Sequence, residues 1–197
     1  MWWCKIVEKL IIIYDVDDVL NNLNEYCLTK LGLPWGTRFN TYENTSYTKE
    51  QADSLMGMYG NPETFRHLSY MPGARDIFDI EKTGKVKVRI VSRNFNQGVA
   101  DAKMGWILGG IPGATSDNIE MQIGLGADKR IDKTADIIVE DCITNCIKYN
   151  KDTIKILIDK PNNKAEEYGI NEGEHNIIRV DTLIDANNLI RKIVNNY

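Results

Sequence analysis

The chain has 197 residues, of which 43% are hydrophobic and 26% are charged, and its formal net charge at pH 7 is −4. At roughly 150 residues per domain, this length favours one domain with a sizeable insertion over two complete folds. The composition is typical of a globular chain and excludes a disordered or fibrous one. The acidic balance argues against binding to a nucleic-acid polymer, since a phosphate backbone requires a basic face.

The N-terminal sequence does not resemble an export signal or a membrane anchor. Its longest apolar run, residues 10–14, is too short to cross a bilayer, and Lys5, Glu8 and Lys9 interrupt the segment that a signal peptide would need. The four cysteines show no CxxC pair and no dense framework, which is typical of reduced thiols. We therefore expect a cytoplasmic protein with no membrane partner.

The chain alternates between two kinds of pattern. Short apolar, β-branched runs are typical of strands buried on both faces of a parallel sheet. These runs are 9–14, 85–91, 136–139, 153–158, 177–180 and, most weakly, 118–123. Three segments with a helical pattern lie between these runs, at 74–82, 97–108 and 142–149, and a fourth, 182–194, follows the last run. This alternation predicts an α/β fold with a Rossmann-like, doubly wound parallel sheet.

One connection is several times longer than an ordinary crossover. It joins the first strand to the helix that begins at residue 74. It begins with an amphipathic helical pattern, and Thr48 and Asn61 mark two further helix starts. We expect residues 21–71 to form a small helical cap inserted after the first strand. Residues 1–20 and 72–197 would form the core.

Polar side chains follow three of the predicted strands. They are, in chain order, Asp15, Asp17, Asp18, Ser92, Arg93, Asn94, Glu140 and Asp141. Ligands bind beyond the carboxyl ends of strands in an open parallel sheet. Five carboxylates at one edge would repel one another unless a cation lay among them. Mg²⁺ is the hard divalent ion that such oxygen ligands suit best.

The spacing of Asp15 and Asp17 adds a chemical prediction. Side chains two residues apart in an extended segment share a face. One carboxylate can therefore attack as a nucleophile while the other exchanges a proton with the leaving group. The Ser92 hydroxyl and an ammonium group from Lys129 or Lys133 would bind the oxygens of a transferring phosphoryl group. These parts fit phosphoryl transfer through an aspartyl-phosphate.

Four motifs in a fixed order resemble those of the haloacid dehalogenase-like (HAD) phosphohydrolases. They are Asp15-Val16-Asp17-Asp18, Ser92 after a hydrophobic strand, Asp128-Lys129-Arg130, and Val139-Glu140-Asp141-x-x-x-Asn145. The resemblance spans residues 9–163 and implies that Asp15 is the nucleophile and Asp17 the general acid/base. It also implies a Mg²⁺ ion held by the Asp15 side chain, the Asp17 carbonyl and Asp141, with Glu140 close by.

Within that superfamily the chain is most similar to the 5'(3')-deoxyribonucleotidases. The supporting features are the insertion, the segments 71–74 and 135–138, and the run 156–163. Two residues depart from the family pattern: Glu140 replaces the more usual aspartate, and Asn162 replaces a frequent aromatic residue. The resemblance implies a small-molecule partner, a nucleoside or deoxynucleoside 5'-monophosphate, and leaves a homodimer open.

The resemblance leaves some site residues open. Both candidate lysines lie in Asp-Lys pairs, and we favour Lys129 over Lys133. Arg93 follows Ser92 directly and is a candidate phosphate ligand, with a solvated or acid-paired side chain as the alternative. Tyr42, Tyr47 and Phe65 are candidates to stack on the base because polar neighbours flank them, with packing inside the cap as the alternative.

Two other functions remain open at this point. One is hydrolysis of another small phosphate ester, such as a sugar phosphate. The other is a catalytically idle HAD-like binding domain, but such a domain would have no need for Asp15 and Asp17 together.

Overall fold

A computed structural model describes residues 9–36, 47–124 and 132–197 of the chain. Its centre is one sheet of six strands. The strands are β1 (Leu10–Tyr14), β2 (Val86–Asn94), β3 (Ile119–Ile123), β4 (Ile137–Glu140), β5 (Ile154–Ile158) and β6 (Ile177–Val180). All neighbouring pairs are parallel, in the order β3-β2-β1-β4-β5-β6. This is the doubly wound order, and its direction reverses beside β1.

The strands correspond to the predicted runs, including the weak one at 118–123. The main difference is β2, which was expected to end at Val91 but continues through Asn94. Pairing with β3 extends it, since Ser92 lies opposite Met121 and Asn94 opposite Ile123. Ser92 is therefore fixed on a strand, not on a loop.

The described part of the chain contains seven α-helices. They are α1 (Leu23–Leu31), α2 (Lys49–Tyr59), α3 (Pro62–Phe65), α4 (Gln97–Gly110), α5 (Ile143–Cys146), α6 (Ala165–Tyr168) and α7 (Leu183–Asn196). The predicted helix at 74–82 is a 3₁₀ helix, Ala74–Thr83, which lies between two glycines with positive φ. The predicted helix at 142–149 shortens to α5.

Apolar side chains cover both faces of the sheet, which explains why its strands are continuous hydrophobic runs. On one face Ile12 and Val88 pack with Ile107 of α4 and Ile190 of α7. On the other face Ile13 and its neighbours pack with residues of α5. Each fully buried aliphatic side chain contributes about 1.5 to 3 kcal/mol relative to an exposed one. No helix among the described residues is both long enough and apolar enough to span a bilayer.

The long insertion forms a third apolar cluster with α4. Leu23, Cys27, Leu55 and Phe65 of the insertion pack against Val99 of α4. Helix α2 begins at the expected capping box, in which Thr48 and Gln51 exchange hydrogen bonds, and Asn61 caps α3 before Pro62. The insertion therefore rests directly on the helix that follows β2.

The two ends of the insertion meet at its base. Asn21 and Tyr70 form an isolated antiparallel bridge. The Tyr70 ring stacks on Trp106 with centroids 4.0 Å apart, and its hydroxyl donates to the Trp106 carbonyl at 2.7 Å. A Cβ at Gly110 would lie 1.7 Å from the Tyr70 hydroxyl, so glycine is needed for this close approach. The returning chain is thereby attached to α4.

Candidate active site

The predicted polar residues gather at the carboxyl edge of the sheet. Strand β1 lies between β2 and β4, so Asp15 after β1 has Ser92 on one side and Glu140 with Asp141 on the other. The backbone continues this pairing, because the Asp15 amide donates to the Val139 carbonyl at 3.0 Å. The strand order thus assembles residues that are more than one hundred positions apart in sequence.

Three carboxylates form a group that can hold a metal ion. Asp15, Glu140 and Asp141 each offer one oxygen, and these oxygens all lie within 4.8 Å of one another. Glu140 and Asp141 are 1% and 2% exposed. Burial, together with the charges of Asp18, Asp15 and Glu140, raises the pKa of Asp141 well above its usual value, and the charge of Lys160 offsets this only in part. The cluster is therefore costly as a set of bare anions.

The donor set fits a divalent cation. Asp141 Oδ2 is buried and has no hydrogen-bond partner within the described ranges. Buried polar atoms are normally hydrogen-bonded, so an orphaned carboxylate oxygen beside two other acids requires an explanation. A hard cation with oxygen ligands would supply it.

Asp17 is paired with a lysine. Its Oδ1 accepts from Asn21 Nδ2 at 3.1 Å, and its Oδ2 is paired with the ammonium group of Lys103. The Asp17 side chain is not among the three clustered carboxylates. Its expected contribution to metal binding, through the backbone carbonyl, stays a prediction.

Lys103 places a buried ammonium group in the site, and no sequence motif had pointed to it. The side chain is 2% exposed, and its Nζ donates to Ser92 Oγ at 3.0 Å and to the Arg93 carbonyl at 3.2 Å, besides pairing with Asp17. A signal was present, because Lys103 lies between Val99 and Ile107 at i, i+4 spacing on the buried face of α4. A lysine in such an apolar stripe has to find buried partners.

The sequence had offered two other lysines for this role, with Lys129 favoured over Lys133. Lys129 lies outside the described residues. Lys133 is exposed in the turn before β4, and its carbonyl accepts from Asn150 Nδ2 at 3.1 Å. Since the strands are parallel, this turn lies at the amino edge, opposite the acids. The role proposed for Lys133 was therefore wrong, because the Asp-Lys pattern carried no information about which edge it would occupy.

Arg93 and the aromatic candidates have different environments. Arg93 is exposed beside Ser92, and its role as a phosphate ligand stays a prediction. Tyr42 lies outside the described residues. The Tyr47 hydroxyl donates to the Pro34 carbonyl at 2.7 Å, and its ring packs against the insertion cluster.

Phe65 is a core residue of the insertion, not an open stacking surface. Its side chain is 1% exposed. The Lys103 ammonium lies over its ring, 5.1 Å from the centroid, within the range of a cation–π contact. The expectation that Phe65 stacks on a base is therefore wrong for this structure. Of the polar sequence neighbours that suggested it, Thr64 is itself buried and Arg66 follows the last residue of α3.

Asp18 connects the acidic loop to the insertion. It is buried, has a positive φ of 58°, and accepts from the Asn24 backbone amide at 3.0 Å and from Asn24 Nδ2 at 2.5 Å. Asn24 in turn accepts a hydrogen bond from the Tyr59 hydroxyl. Burial is the main reason that the pKa of Asp18 rises to about 7. A series of hydrogen-bonded side chains therefore connects the loop after β1 with α1 and α2.

The fold occurs in several solved hydrolases. A hydrolase from Pseudomonas syringae is 13% identical with a TM-score of 0.52, covering 94% of this chain and 99% of its own. A haloacid dehalogenase-like family hydrolase from Streptococcus pneumoniae is 12% identical with a TM-score of 0.53, covering 92% and 98%. A HAD-superfamily hydrolase from Ehrlichia chaffeensis is 13% identical with a TM-score of 0.53, covering 95% and 99%. At these identities the likeness concerns the fold alone.

Sequence comparison supplies the family. No curated protein matches the chain in sequence. The family model described as "5' nucleotidase, deoxy (Pyrimidine), cytosolic type C protein" matches residues 9–195, nearly the whole chain. The match includes every site residue described above and agrees with the HAD-like fold and the resemblance found from the motifs. The chain belongs to this nucleotidase family and is a phosphatase with a HAD-like core.

Proposed function

We propose that the protein is a Mg²⁺-dependent phosphomonoesterase that hydrolyses nucleoside or deoxynucleoside 5'-monophosphates through a phosphoryl group carried on Asp15. The observation that carries the proposal is the meeting of two groups at one sheet edge. The first is the cluster of Asp15 with Glu140 and Asp141. The second is the chain from Asp17 through Lys103 to Ser92. Together they supply a nucleophile, a proton carrier and a phosphate-binding cation.

In the first step an oxygen of the Asp15 carboxylate bonds to phosphorus while the bond from phosphorus to the ester oxygen breaks. Asp17 enters this step protonated and delivers its proton to that oxygen, so that the nucleoside leaves as an alcohol. In the second step Asp17 takes a proton from water, and the water oxygen bonds to phosphorus and breaks the bond to Asp15. The products are the alcohol and inorganic phosphate, and both carboxyl groups return to their starting protonation states.

Lys103 and Ser92 bind the phosphoryl oxygens during both steps. The three ammonium hydrogens of Lys103 already serve Asp17, Ser92 and the Arg93 carbonyl. A phosphoryl oxygen therefore competes with these acceptors for the lysine. The ring of Phe65 covers the ammonium group from the side of the insertion. It keeps bulk water from that side and strengthens the attraction of the cation for an anionic ligand.

A divalent cation would be held by Asp15, Glu140 and Asp141. When bound, it neutralises the charge of the phosphoryl oxygens and of the clustered acids, and Mg²⁺ fits because all the available ligands are hard oxygens. Asn145 Nδ2 lies 3.4 Å from Glu140 Oε2 and can orient this carboxylate. Glutamate here retains the oxygen chemistry of the more usual aspartate.

We further propose that residues 21–71 act as the cap over the substrate. Its base closes at the bridge between Asn21 and Tyr70, and Asn21 also holds Asp17. We also propose that Tyr42 and Tyr47 contact the base of the nucleotide. We also propose a cytoplasmic location, supported by the lack of a disulfide bond among the described cysteines, Cys27, Cys142 and Cys146.

The test is a phosphate-release assay over a panel of esters with the Asp15→Asn variant as a matched control. The panel holds purine and pyrimidine ribo- and deoxyribonucleoside 5'-monophosphates, one 3'-monophosphate, a sugar phosphate and an aryl phosphate. We expect the highest kcat/KM on a nucleoside 5'-monophosphate and none in excess chelator. A higher kcat/KM on the sugar phosphate would show that nucleotides are not the substrates. If no ester released phosphate, the protein would be a catalytically idle binding domain.

A further inference from the structure

Asn163 lies where two strand ends of the active-site edge come together. It follows β5 in the chain and is 1% exposed. Its Nδ2 donates to the Asp141 carbonyl at 2.7 Å and to the Ile158 carbonyl at 2.7 Å. One amide group thus joins the residue that ends β5 to the residue that follows β4. The proposed catalytic steps do not use this side chain.

Arg179 of β6 fixes the orientation of the Asn163 amide. Its Nη1 donates to Asn163 Oδ1 at 2.7 Å, and its Nη2 donates to the Asn163 carbonyl at 3.0 Å. The Lys160 backbone amide donates to the same Oδ1 at 3.1 Å. Because two donors face Oδ1, the reversed amide would place NH₂ against them. The Nδ2 group must therefore point at the carbonyls of Asp141 and Ile158.

Arg179 is itself held by acids. It donates to Asp159 Oδ1 at 2.6 Å, and its Nε donates to Glu172 Oε1 at 3.1 Å. Lys164 donates to the Asp159 carboxylate as well, at 2.7 and 2.6 Å. A continuous set of direct contacts therefore runs from the edge strand to the backbone of Asp141. Its geometry is over-determined, since planar guanidinium and amide groups meet at several points.

Asp141 is the residue that most needs such support. Its buried carboxylate is repelled by Asp15, Glu140 and Asp18. Its Oδ2 has no hydrogen bond within the described ranges. Without a fixed backbone, the carboxylate would relieve this repulsion by moving away from the other acids. The hydrogen bond from Asn163 to the Asp141 carbonyl opposes that movement.

We propose that Asn163, oriented by Arg179, is a positioning residue that holds Asp141 in place for the divalent cation. This inference rests on the proposed function, because it concerns the cation of the same site. Outer partners of metal ligands typically change metal affinity by about 10- to 100-fold when they are lost. We expect that range for Asn163→Ala. Saturating Mg²⁺ should restore much of the turnover, since Asp15, Asp17 and Lys103 are unaltered.

The experiment measures cation binding directly on the full chain. Mg²⁺ and Mn²⁺ dissociation constants are obtained by titration calorimetry, with the thermal midpoint in chelator recorded for every variant. The variants are Asn163→Ala, Asn163→Asp and Arg179→Lys. The matched control is Asn150→Ala, which also removes an asparagine that donates to a carbonyl, but at the opposite edge of the sheet.

Asn163→Asp separates position from charge. It preserves the shape and the acceptor for Arg179 but removes the donor to Asp141. If charge alone governed the site, an added carboxylate would tighten cation binding. If positioning governs it, the dissociation constant should rise by at least about tenfold. Arg179→Lys should give a smaller rise, because lysine retains the charge and loses the forked geometry.

The outcomes distinguish this inference from the function on which it rests. Unchanged cation affinity in Asn163→Ala, with only a lower thermal midpoint, would make Asn163 a purely structural residue and overturn the inference. Tighter binding by Asn163→Asp, or an equal loss in Asn150→Ala, would also overturn it. If the wild-type protein bound neither cation, the metal-dependent function would fail together with the inference.

Discussion

The two edges of the sheet each bury a lysine, and they use it differently. At the amino edge Lys155 of β5 is 1% exposed and donates to the backbone carbonyls of Asn150 and Lys151. At the carboxyl edge Lys103 is 2% exposed and contacts the side chains of Asp17 and Ser92. Lys155 closes a turn, whereas Lys103 joins groups that can act on a substrate.

The same contrast extends to the acids. At the amino edge Asp136 accepts from the Ile11 backbone amide at 2.7 Å, so it satisfies the start of a strand. At the carboxyl edge Asp141 has a buried oxygen without a partner and lies beside two other carboxylates. Groups that serve the fold are satisfied by the chain itself. Groups that serve a ligand are left in an arrangement that only the ligand completes.

The largest expected effect is on the nucleophile. Asp15→Asn is nearly isosteric and cannot attack phosphorus, so turnover should fall by at least about 1,000-fold. The thermal midpoint should change little. Steady-state phosphate release and thermal unfolding of the same preparations check both statements. Retention of most activity would remove Asp15 from the mechanism and weaken the contrast between the edges.

Substitution of the two buried lysines compares the edges directly. Lys103→Met should lower kcat/KM by about 100- to 1,000-fold, because the phosphoryl group loses its placed cation. Lys155→Met should leave kcat/KM near wild type and cost about 1 to 3 kcal/mol of stability, because two backbone carbonyls lose their charged donor. Kinetics and urea unfolding of both variants give the comparison. If both variants lost kcat/KM to a similar extent, the contribution of Lys103 would be to folding stability and not to substrate binding.

Removing a carboxylate from the acid cluster should raise the free energy of unfolding and weaken metal binding. Asp141→Asn removes one of the repelling charges, so in chelator it should raise the free energy of unfolding by on the order of 1 kcal/mol. Its activity should require more Mg²⁺ than that of the wild type, and Asp141→Ala should raise the requirement more than Glu140→Ala. Unfolding in chelator and Mg²⁺ titrations of activity test this. A destabilised Asp141→Asn variant would mean that the cluster is not strained.

The smallest expected effect is on the acid stability of the network behind Asp141. Burial opposes ionisation of Asp159, but hydrogen bonds from Lys164 and Arg179 outweigh it and hold the pKa of this carboxyl below its usual value. The stabilisation is therefore present above the unfolded value of about 4 and is lost as the pH falls through the lower folded value. Because Asp159 is 30% exposed, we expect about 0.5 to 1 kcal/mol. Unfolding of wild type and Asp159→Asn at pH 3 and pH 6 would show a larger difference at pH 6 than at pH 3.

The sequence was sufficient for the parts of the molecule that local patterns encode. Continuous β-branched runs predict the strands, and strand ends place Asp15, Ser92, Glu140 and Asp141 at one edge, because parallel strands all end there. The start of α2 followed from Thr48 and its capping partner. The 3₁₀ geometry of Ala74–Thr83 did not, since a helical pattern does not distinguish hydrogen bonds to i+3 from those to i+4.

The site residues that the sequence did not reveal depend on packing between elements that are far apart in the chain. Lys103 becomes a site residue only because α4 turns that face towards the end of β2. Asn21 and Asn163 act through single amide hydrogen bonds, for which asparagine content alone gives no signal. Phe65 was expected to be open, and its burial depends on the contact between the insertion and α4. Residues that contribute through position are thus harder to identify than residues that contribute through charge.

The central claim is that Asp15 carries the phosphoryl group during turnover. The most direct measurement is rapid acid quenching of the enzyme with a ³²P-labelled nucleoside 5'-monophosphate and Mg²⁺, followed by peptide mapping of the protein. We expect label on the peptide that contains Asp15, formed and lost within one turnover, and no label in Asp15→Asn. Label on another residue, or full phosphate release with no protein-bound label at any quench time, would contradict the account.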